Sequence, residues 1–237
     1  MKVFPTLQIE NGLTVPFIGE PPAQTSPVDM VEQLLDLGCT HVTFIDRDAA
    51  VGKGNNRELI LKLAHRFVKS AGKVCIQVGG GIRSSDMAQL YLDHGITWIL
   101  VNAILQRSPI MTEQLVARFQ SRLTATLPAF HGQFRESGGG ARPDVTLEQA
   151  AQRIRDLGIR RALFIDIPGE AGQEPDFQSA RRIAEIAKIP LLMSGTVATE
   201  EHVHIASSIP GLQGVLLDAW NVAGNPQLVL HSTQPCA

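Results

Sequence analysis

Two aspartates end matching apolar segments of this 237-residue chain, and they are the first residues whose positions suggest chemistry. Phe44-Ile45-Asp46 recurs as Phe164-Ile165-Asp166, 120 residues further along the chain. A carboxylate at the end of a buried strand is expensive to desolvate unless it serves a ligand or a hydrogen-bond network. Asp46 and Asp166 are therefore candidates for acid–base chemistry or for a structural network, and the pattern alone leaves both interpretations open.

A second pair of segments recurs at nearly the same spacing. Val78-Gly79-Gly80-Gly81-Ile82-Arg83-Ser84 aligns with Met193-Ser194-Gly195-Thr196-Val197-Ala198-Thr199, 115 residues later. Two pairs of segments that share an offset of about half the chain indicate an internal two-fold repeat. We therefore expect two halves of similar construction, each with one aspartate and one glycine-containing turn.

The elements that must position these residues are short apolar runs that alternate with amphipathic stretches. The runs have the near-continuous apolarity of strands buried on both faces of a parallel sheet. Helices are predicted between them: Ser26-Pro27 supplies an N-cap with proline at the first helical position, and Thr146–Gln149 fits a capping box. The apolar runs are Val3–Ile9, His41–Ile45, Val74–Val78, Trp98–Val101, Leu123–Phe130, Ala162–Ile165, Pro190–Met193 and Gly214–Leu217.

Eight strands with intervening helices, repeated as two sets of four βα units, favour a closed (βα)8 TIM barrel of the α/β class. An open, doubly wound sheet is the structural alternative. We expect residues 1–237 to form one barrel domain, with residues 232–237 as a flexible tail. Segments 14–25 and 131–144 fall outside the pattern and are predicted to be long loops after the first and fifth strands, where lids of such barrels lie.

The composition narrows the class of partner. A formal net charge of -2 gives no basic surface for nucleic acid, and no apolar run approaches the roughly 18 residues that a membrane span needs. Three scattered cysteines do not suggest a disulfide framework, so a cytoplasmic location is expected. The seven histidines form no metal-binding pattern, and His131 is the one placed to enter a site at the end of the fifth strand.

The segment Ile76–Ser84 resembles the third-strand signature of the ProFAR isomerase family of histidine biosynthesis, the phosphoribosylformimino-5-aminoimidazole carboxamide ribotide isomerases. Asp46–Leu59 resembles the loop after the second strand of that family, and it is closest to bifunctional members that also isomerise phosphoribosylanthranilate. The similarity extends from Met1 to about Gly224. It implies an aldose–ketose (Amadori) isomerisation of a phosphorylated ribose, without metal or organic cofactor, by two carboxylates at the barrel mouth.

The resemblance assigns catalytic positions at which this chain differs from the family. Gln8 stands where the family has its general-base Asp, and an amide does not accept a proton usefully near neutral pH. Glu10, two residues further along the strand, is an alternative base. Glu170 lies in the loop after the sixth strand, where the family has its second catalytic Asp. Glu170, Asp46, Asp166 and Gln8 are therefore the catalytic candidates.

The resemblance also implies two phosphate sites, each formed by backbone N–H groups of glycine-containing loops and short helix N-termini. Asn102-Ala103 replaces a small glycine-containing pair of the family after the fourth strand. Asp218-Ala219 stands where the family has glycine followed by a cation, which puts a negative charge in place of a phosphate site. Arg135 and Arg142 are candidates to reach a ligand from the loop after the fifth strand. The predicted phosphate- and substrate-binding residues are Gly79, Gly80, Gly81, Arg83, Ser84, Ser194, Gly195 and Thr196.

Three hypotheses follow from these positions. The chain is a divergent isomerase that acts on ProFAR or on a relative with one phosphate; or it is a non-catalytic paralogue that binds a ligand or a protein; or it is an enzyme recruited to a different substrate that Asp218 recognises. We expect a monomer or weak oligomer with a small-molecule sugar phosphate as its partner, and neither nucleic acid nor a membrane.

Overall fold

The computed structural model describes residues 1–19, 25–71, 74–102, 109–135, 145–170 and 172–230. Within these residues the chain forms ten strands and ten α-helices. The strands are β1 (Lys2–Glu10), β2 (Leu13–Val15), β3 (His41–Asp46), β4 (Cys75–Gly79), β5 (Trp98–Val101), β6 (Leu123–Phe130), β7 (Gln133–Phe134), β8 (Ala162–Asp166), β9 (Leu191–Ser194) and β10 (Leu212–Asp218). The helices are α1 (Pro27–Asp36), α2 (Arg47–Val51), α3 (Arg57–Ala71), α4 (Ser85–Asp93), α5 (Pro109–Phe119), α6 (Leu147–Asp156), α7 (Phe177–Ala187), α8 (Glu200–Ser207), α9 (Ala219–Gly224) and α10 (Gln227–Leu230).

The eight predicted apolar runs all form strands, and these strands belong to one sheet. Their order is β1, β3, β4, β5, β6, β8, β9 and β10, and β10 also pairs with β1, so the sheet closes. Helices separate consecutive strands of this ring. The fold is therefore a (βα)8 barrel, as the pattern predicts, and the open-sheet alternative is excluded.

The chain divides into two compact units, one of Leu100–Leu216 with Met1 and one of Lys2–Ile99 with Leu217–Ala237. In the first of these, the core includes Leu127, Phe164 and Met193, all with 1% or less of their surface exposed. In the second, Phe4 and Phe44 are equally buried. The expectation that residues 1–237 form one domain stays a prediction.

Local capping signals account for where several helices begin. Ser26 accepts a hydrogen bond from the backbone N–H of Asp29, and Pro27 opens α1. Thr146 and Gln149 form the complete capping box at α6, with each side chain accepting from the other residue's backbone N–H. Both predicted helix starts are confirmed, because a cap depends only on residues three positions apart.

The segments that follow β1 and β6 begin as hairpins, whereas the sequence pattern predicts loops there. Each strand turns back at once into a short antiparallel partner, β2 in one unit and β7 in the other. The turns are Asn11-Gly12, with φ of 49° and 80°, and His131-Gly132, with φ of 48° and 71°. Two consecutive positive φ values are typical of the type I′ turn, whose twist suits a two-residue hairpin.

Residues 20–24 and 136–144 of the two predicted loops, and residues 231–237 with the predicted tail, lie outside the described residues. A long loop at these two places and a flexible tail therefore stay predictions. No described helix is both long and apolar enough to cross a membrane. Cys39 is a free, buried thiol, and desolvation raises its pKa to about 12.

Candidate functional site

Asp46, at the end of β3, is fully buried and is surrounded by hydrogen-bond donors. Its Oδ1 accepts from the backbone N–H of Ala49 at 3.0 Å, which makes Asp46 the N-cap of α2. Asn56 adds two bonds, from its backbone N–H to Oδ2 at 2.7 Å and from its side-chain amide to Oδ1 at 2.9 Å. These bonds give the buried carboxylate a structural network that offsets its desolvation.

Asn56 also joins this network to the β1–β2 hairpin. Its side-chain oxygen accepts from the backbone N–H of Gly12 at 2.9 Å, and its amide donates to the carboxylate of Asp48 at 2.9 Å. The N–H of Asn11 donates to the same Asp48 carboxylate at 2.7 Å. No residue pattern indicated a role for Asn56 or Asp48, although both lie in the segment that carries the family resemblance.

Asp166, at the end of β8, has the matching arrangement in the Leu100–Leu216 unit. It is 1% exposed, and its Oδ2 accepts from the N–H of Asp176 at 3.0 Å and from the hydroxyl of Thr196. Asp176 follows Asp166 by ten residues, just as Asn56 follows Asp46. Desolvation raises the pKa of Asp166, while the hydrogen bonds from Thr196 and Asp176 act in the opposite direction.

The predicted phosphate glycines pack directly against the backbone of these aspartates. A Cβ atom on Gly80, whose φ is +95°, would lie 2.2 Å from the carbonyl oxygen of Asp46. A Cβ on Gly195, whose φ is +106°, would lie 1.8 Å from the carbonyl oxygen of Asp166. Only glycine fits such a close approach at positive φ. The aspartate–glycine pair is therefore a structural feature that both halves share, whatever the loops bind.

The remaining residues of the first glycine loop are held by neighbouring backbone. Gly79 ends β4 and is buried, and Ser84 caps α4 by accepting from the N–H of Met87 at 3.2 Å. Arg83 donates to the carbonyl oxygens of Ala49 and Ala50 at 3.2 and 3.4 Å. Its guanidinium thus supports the turn after β3.

In the other unit, Ser194 ends β9 with 6% of its surface exposed, and Thr196 is 7% exposed. Thr199, the counterpart of Ser84 in the repeat, caps α8. The Thr196 hydroxyl is committed to Asp166. The loop after β9 therefore differs from the loop after β4 in having a hydroxyl bonded to the buried aspartate.

Gln8 is half-buried on β1 and lies in register with Ile45 of β3. The corresponding residue of the other unit is Pro128, which lies in register with Ile165 of β8. The carbonyl oxygen of Pro128 accepts from the N–H of Arg135 at 2.8 Å. Neither of these matched strand positions carries a carboxylate. The offset of the repeat, applied to Gln8, could have identified Pro128 from the sequence.

Glu170 is exposed in the loop after β8. The preceding Gly169 donates its N–H to the side-chain oxygen of Gln173 at 2.7 Å. The Nε2 atom of His131 lies 3.3 Å from the position that a Cβ on Gly169 would take. The structure thus brings His131 beside the loop that carries Glu170, and neither of these two titratable side chains is hydrogen-bonded to Asp166.

Asp218, at the end of β10, is 7% exposed and uses its carboxylate for backbone hydrogen bonds. Oδ1 accepts from the N–H of Trp220 at 2.9 Å, at the start of α9, and Oδ2 accepts from the N–H of Phe17. Desolvation raises the pKa of Asp218, while the N–H groups of Phe17 and Trp220 lower it. An internal carboxylate therefore lies at the start of α9.

Other predicted residues are placed as follows. The guanidinium of Arg135 lies over the ring of Phe130, 5.2 Å from its centroid. Asn102 follows β5, whereas Ala103 and Arg142 lie outside the described residues. Among the residues that the structure describes, no group of three His, Cys, Asp or Glu side chains could hold a metal ion.

The fold and the paired strand-end loops define a (βα)8 barrel built from two halves of one construction. A family model described as histidine biosynthesis protein matches residues 2–219, and the chain belongs to that family. The chain is similar to proteins named 1-(5-phosphoribosyl)-5-((5-phosphoribosylamino)methylideneamino)imidazole-4-carboxamide isomerase, that is, ProFAR isomerase.

Three relatives show how far the similarity extends. The protein of Pelagibacter ubique is 23% identical over 224 residues, covering 92% of each chain. That of Halorhodospira halophila is 27% identical over 226 residues, covering 92% of this chain and 90% of the relative. The protein of Nostoc punctiforme is 28% identical over 196 residues, covering 81% of this chain and 74% of the relative. The family assignment made from two short motifs is therefore confirmed across nearly the whole chain.

Proposed function

We propose that this protein is a divergent phosphoribosyl isomerase, which binds a phosphorylated ribose such as ProFAR and interconverts its aldose and ketose forms. The observation that carries the proposal is the family match over residues 2–219. The aspartate–glycine arrangement supports it, because it shapes the loops that follow β3 and β8 and is intact in both halves. The reaction belongs to histidine biosynthesis in the cytoplasm and uses no metal or organic cofactor.

The proposal gives Glu170 the acid–base role. Its carboxylate is exposed in the loop after β8, and positioned acid–base groups contribute about 10²- to 10⁴-fold to rate. Gln8 takes part as a hydrogen-bonding residue, because its amide both donates and accepts. Asp46 and Asp166 act as positioning residues, since their oxygen atoms are engaged by the loops that they hold.

The proposal places one substrate phosphate at Gly79–Ser84, against the backbone N–H groups of the loop between β4 and α4. The turn at Ser194–Thr196 is the corresponding position in the other unit, where the Thr196 hydroxyl is already bonded to Asp166. Asp218 disfavours a phosphate at the start of α9, because like charges about 4 Å apart repel by roughly 1–4 kcal/mol. We therefore expect a substrate with one phosphate to be bound in preference to a bisphosphate.

Turnover of purified protein with ProFAR, together with growth of an isomerase-deficient strain, tests the proposal. We expect measurable isomerisation that falls by about 10²-fold or more in Glu170→Gln. Glu185→Gln, which removes an equally exposed carboxylate from α7, is the matched control and should keep full activity. No isomerisation of ProFAR or of a one-phosphate analogue by the wild-type protein, and no complementation, would overturn the proposal.

A second candidate function is ligand binding without isomerisation. Gln8 and Pro128 favour it, because the two matched strand positions both lack a group that can take up a proton. Calorimetric titration with ribose 5-phosphate distinguishes the candidates. Saturable binding without turnover of any phosphoribosyl substrate supports the second candidate, and efficient turnover excludes it.

A further inference from the structure

A cavity of about 240 Å³ lies in the Leu100–Leu216 unit, between helix α6 and the β6–β7 hairpin. It involves none of the aspartates and glycines of the strand-end loops. Helix α6 presents residues to it at spacings of one, three and four, which place them on one face of the helix. The lining residues are Asn102, Thr126, Leu127, Phe134, Val145, Gln149, Ala150, Arg153, Ile154 and Leu157.

The walls of this cavity are mostly apolar, and the charge that they carry is positive. Of the described residues that line it, Arg153 is the only charged one, and none is acidic. Within the described part of the chain no carboxylate pairs with Arg153. By contrast, Arg155 of the same helix pairs with Asp156, and Arg182 of α7 pairs with Glu148. Gln149 uses its side-chain oxygen to accept from the N–H of Thr146, which leaves its amide N–H groups for another partner. Arg153 and Gln149 also line a neighbouring hollow that contains Glu148 and Asp156. Among the described residues of the cavity itself the charge is positive, so its polar lining suits a negatively charged acceptor.

The size of the cavity limits what it can hold. An engineered apolar cavity of about 150 Å³ is large enough to bind benzene. The present cavity therefore has room for one ring and a short side chain. Ala150, which is 8% exposed, contributes only a methyl group to the wall, and this small side chain leaves space that a larger residue would fill.

We propose that this cavity binds a small organic acid, with a single-ring body against Leu127, Phe134 and Ile154 and its carboxylate at Arg153. Apolar walls with a few polar groups that orient the ligand are typical of small-molecule sites. None of the described lining residues belongs to Gly79–Ser84 or Ser194–Thr196, the segments to which we assign the sugar phosphate, and binding of the acid requires no isomerase activity.

Calorimetric titration with 3-phenylpropionate tests the proposal, with the uncharged 3-phenylpropionamide as the comparison. We expect saturable binding of the acid and about tenfold weaker binding of the amide, because the uncharged amide cannot form a charge-assisted hydrogen bond with Arg153. In Arg153→Gln the acid should bind about tenfold more weakly, whereas the amide should bind as it does to the wild type. Arg160→Gln, which removes an exposed arginine outside the cavity, is the matched control.

Ala150→Leu tests the location, since the larger side chain fills the cavity and should abolish binding of both probes. Circular dichroism must show that Ala150→Leu is folded. If Ala150→Leu does not fold, Arg153→Gln still tests the proposal, because it changes an exposed residue. The proposal is overturned if the acid shows no saturable binding at millimolar concentration, or if Arg153→Gln binds it as tightly as the wild type. Neither result bears on turnover of a phosphoribosyl substrate.

Discussion

Replacement of Gly195 by alanine directly tests the aspartate–glycine arrangement of the Leu100–Leu216 unit. The added Cβ would lie 1.8 Å from the carbonyl oxygen of Asp166 and 2.7 Å from its carbonyl carbon. Ordinary van der Waals contact for a Cβ begins at 3.4 Å, and the atoms in the way are backbone. The turn or the end of β8 must therefore shift by more than 1 Å, which also disturbs the hydrogen bond from Thr196 to Asp166.

Two contributions give the expected magnitude. Overpacking of a well-packed region costs about 1–3 kcal/mol, and a positive φ costs a residue with a Cβ roughly 1–2 kcal/mol. The free energy of unfolding should thus fall by about 2–5 kcal/mol in Gly195→Ala. Natural domains have only about 5–15 kcal/mol in total, so the loss would be a large part of the stability.

Urea unfolding followed by circular dichroism measures this loss, and Gly158→Ala is the control. Gly158 has a φ of +76° in the same unit, but no atom lies within 4 Å of the position that a Cβ on it would take. That variant should lose only the backbone contribution, about 1–2 kcal/mol. If the free energies of unfolding of the two variants agree within about 0.5 kcal/mol, the close approach to Asp166 has no energetic consequence and the reasoning is refuted.

Three further predictions concern the Lys2–Ile99 and Leu217–Ala237 unit. Asn56→Ala should lower the free energy of unfolding by about 3 kcal/mol in urea titrations, because a buried carboxylate loses a donor, whereas the exposed Asn55→Ala should change it by less than about 1 kcal/mol. Gly12→Val should lower the free energy of unfolding by about 1–2 kcal/mol in urea titrations, because a β-branched residue is strained at a φ of +80°. A variant as stable as the wild type would contradict the type I′ turn. Because burial raises the pKa of Asp218 above its ordinary value of 3.8, its contribution to stability is fully present below that pH and is lost as the pH rises through the folded-state pKa. The stability of the wild type relative to Asp218→Asn should therefore decline as the pH rises from about 3.8, and a constant difference in unfolding titrations would contradict this.

The hairpins show where a local signal was sufficient and where it was not. Asn11-Gly12 is a dipeptide typical of a two-residue type I′ turn, so β2 could have been predicted from the sequence. His131-Gly132 has the same backbone conformation without an asparagine to indicate it. Its two-fold relation to Asn11-Gly12 becomes evident only when both turns are seen to follow matched strands. The repeat therefore extends further in the structure than in the pattern of residues.

Local patterning was enough to identify the two starting aspartates, the eight strands, the capped helices and the barrel, because apolar periodicity and caps depend on residues only a few positions apart. The partners of those aspartates depend on the tertiary structure. Asn56 reaches Gly12 across 44 positions, and Asp218 accepts from the N–H of Phe17 across 201 positions. Hydrogen bonds and backbone approaches of this kind act over about 3 Å in space and leave no periodic trace in the chain, so only the folded molecule could show that Asp46 and Asp166 are held inside networks.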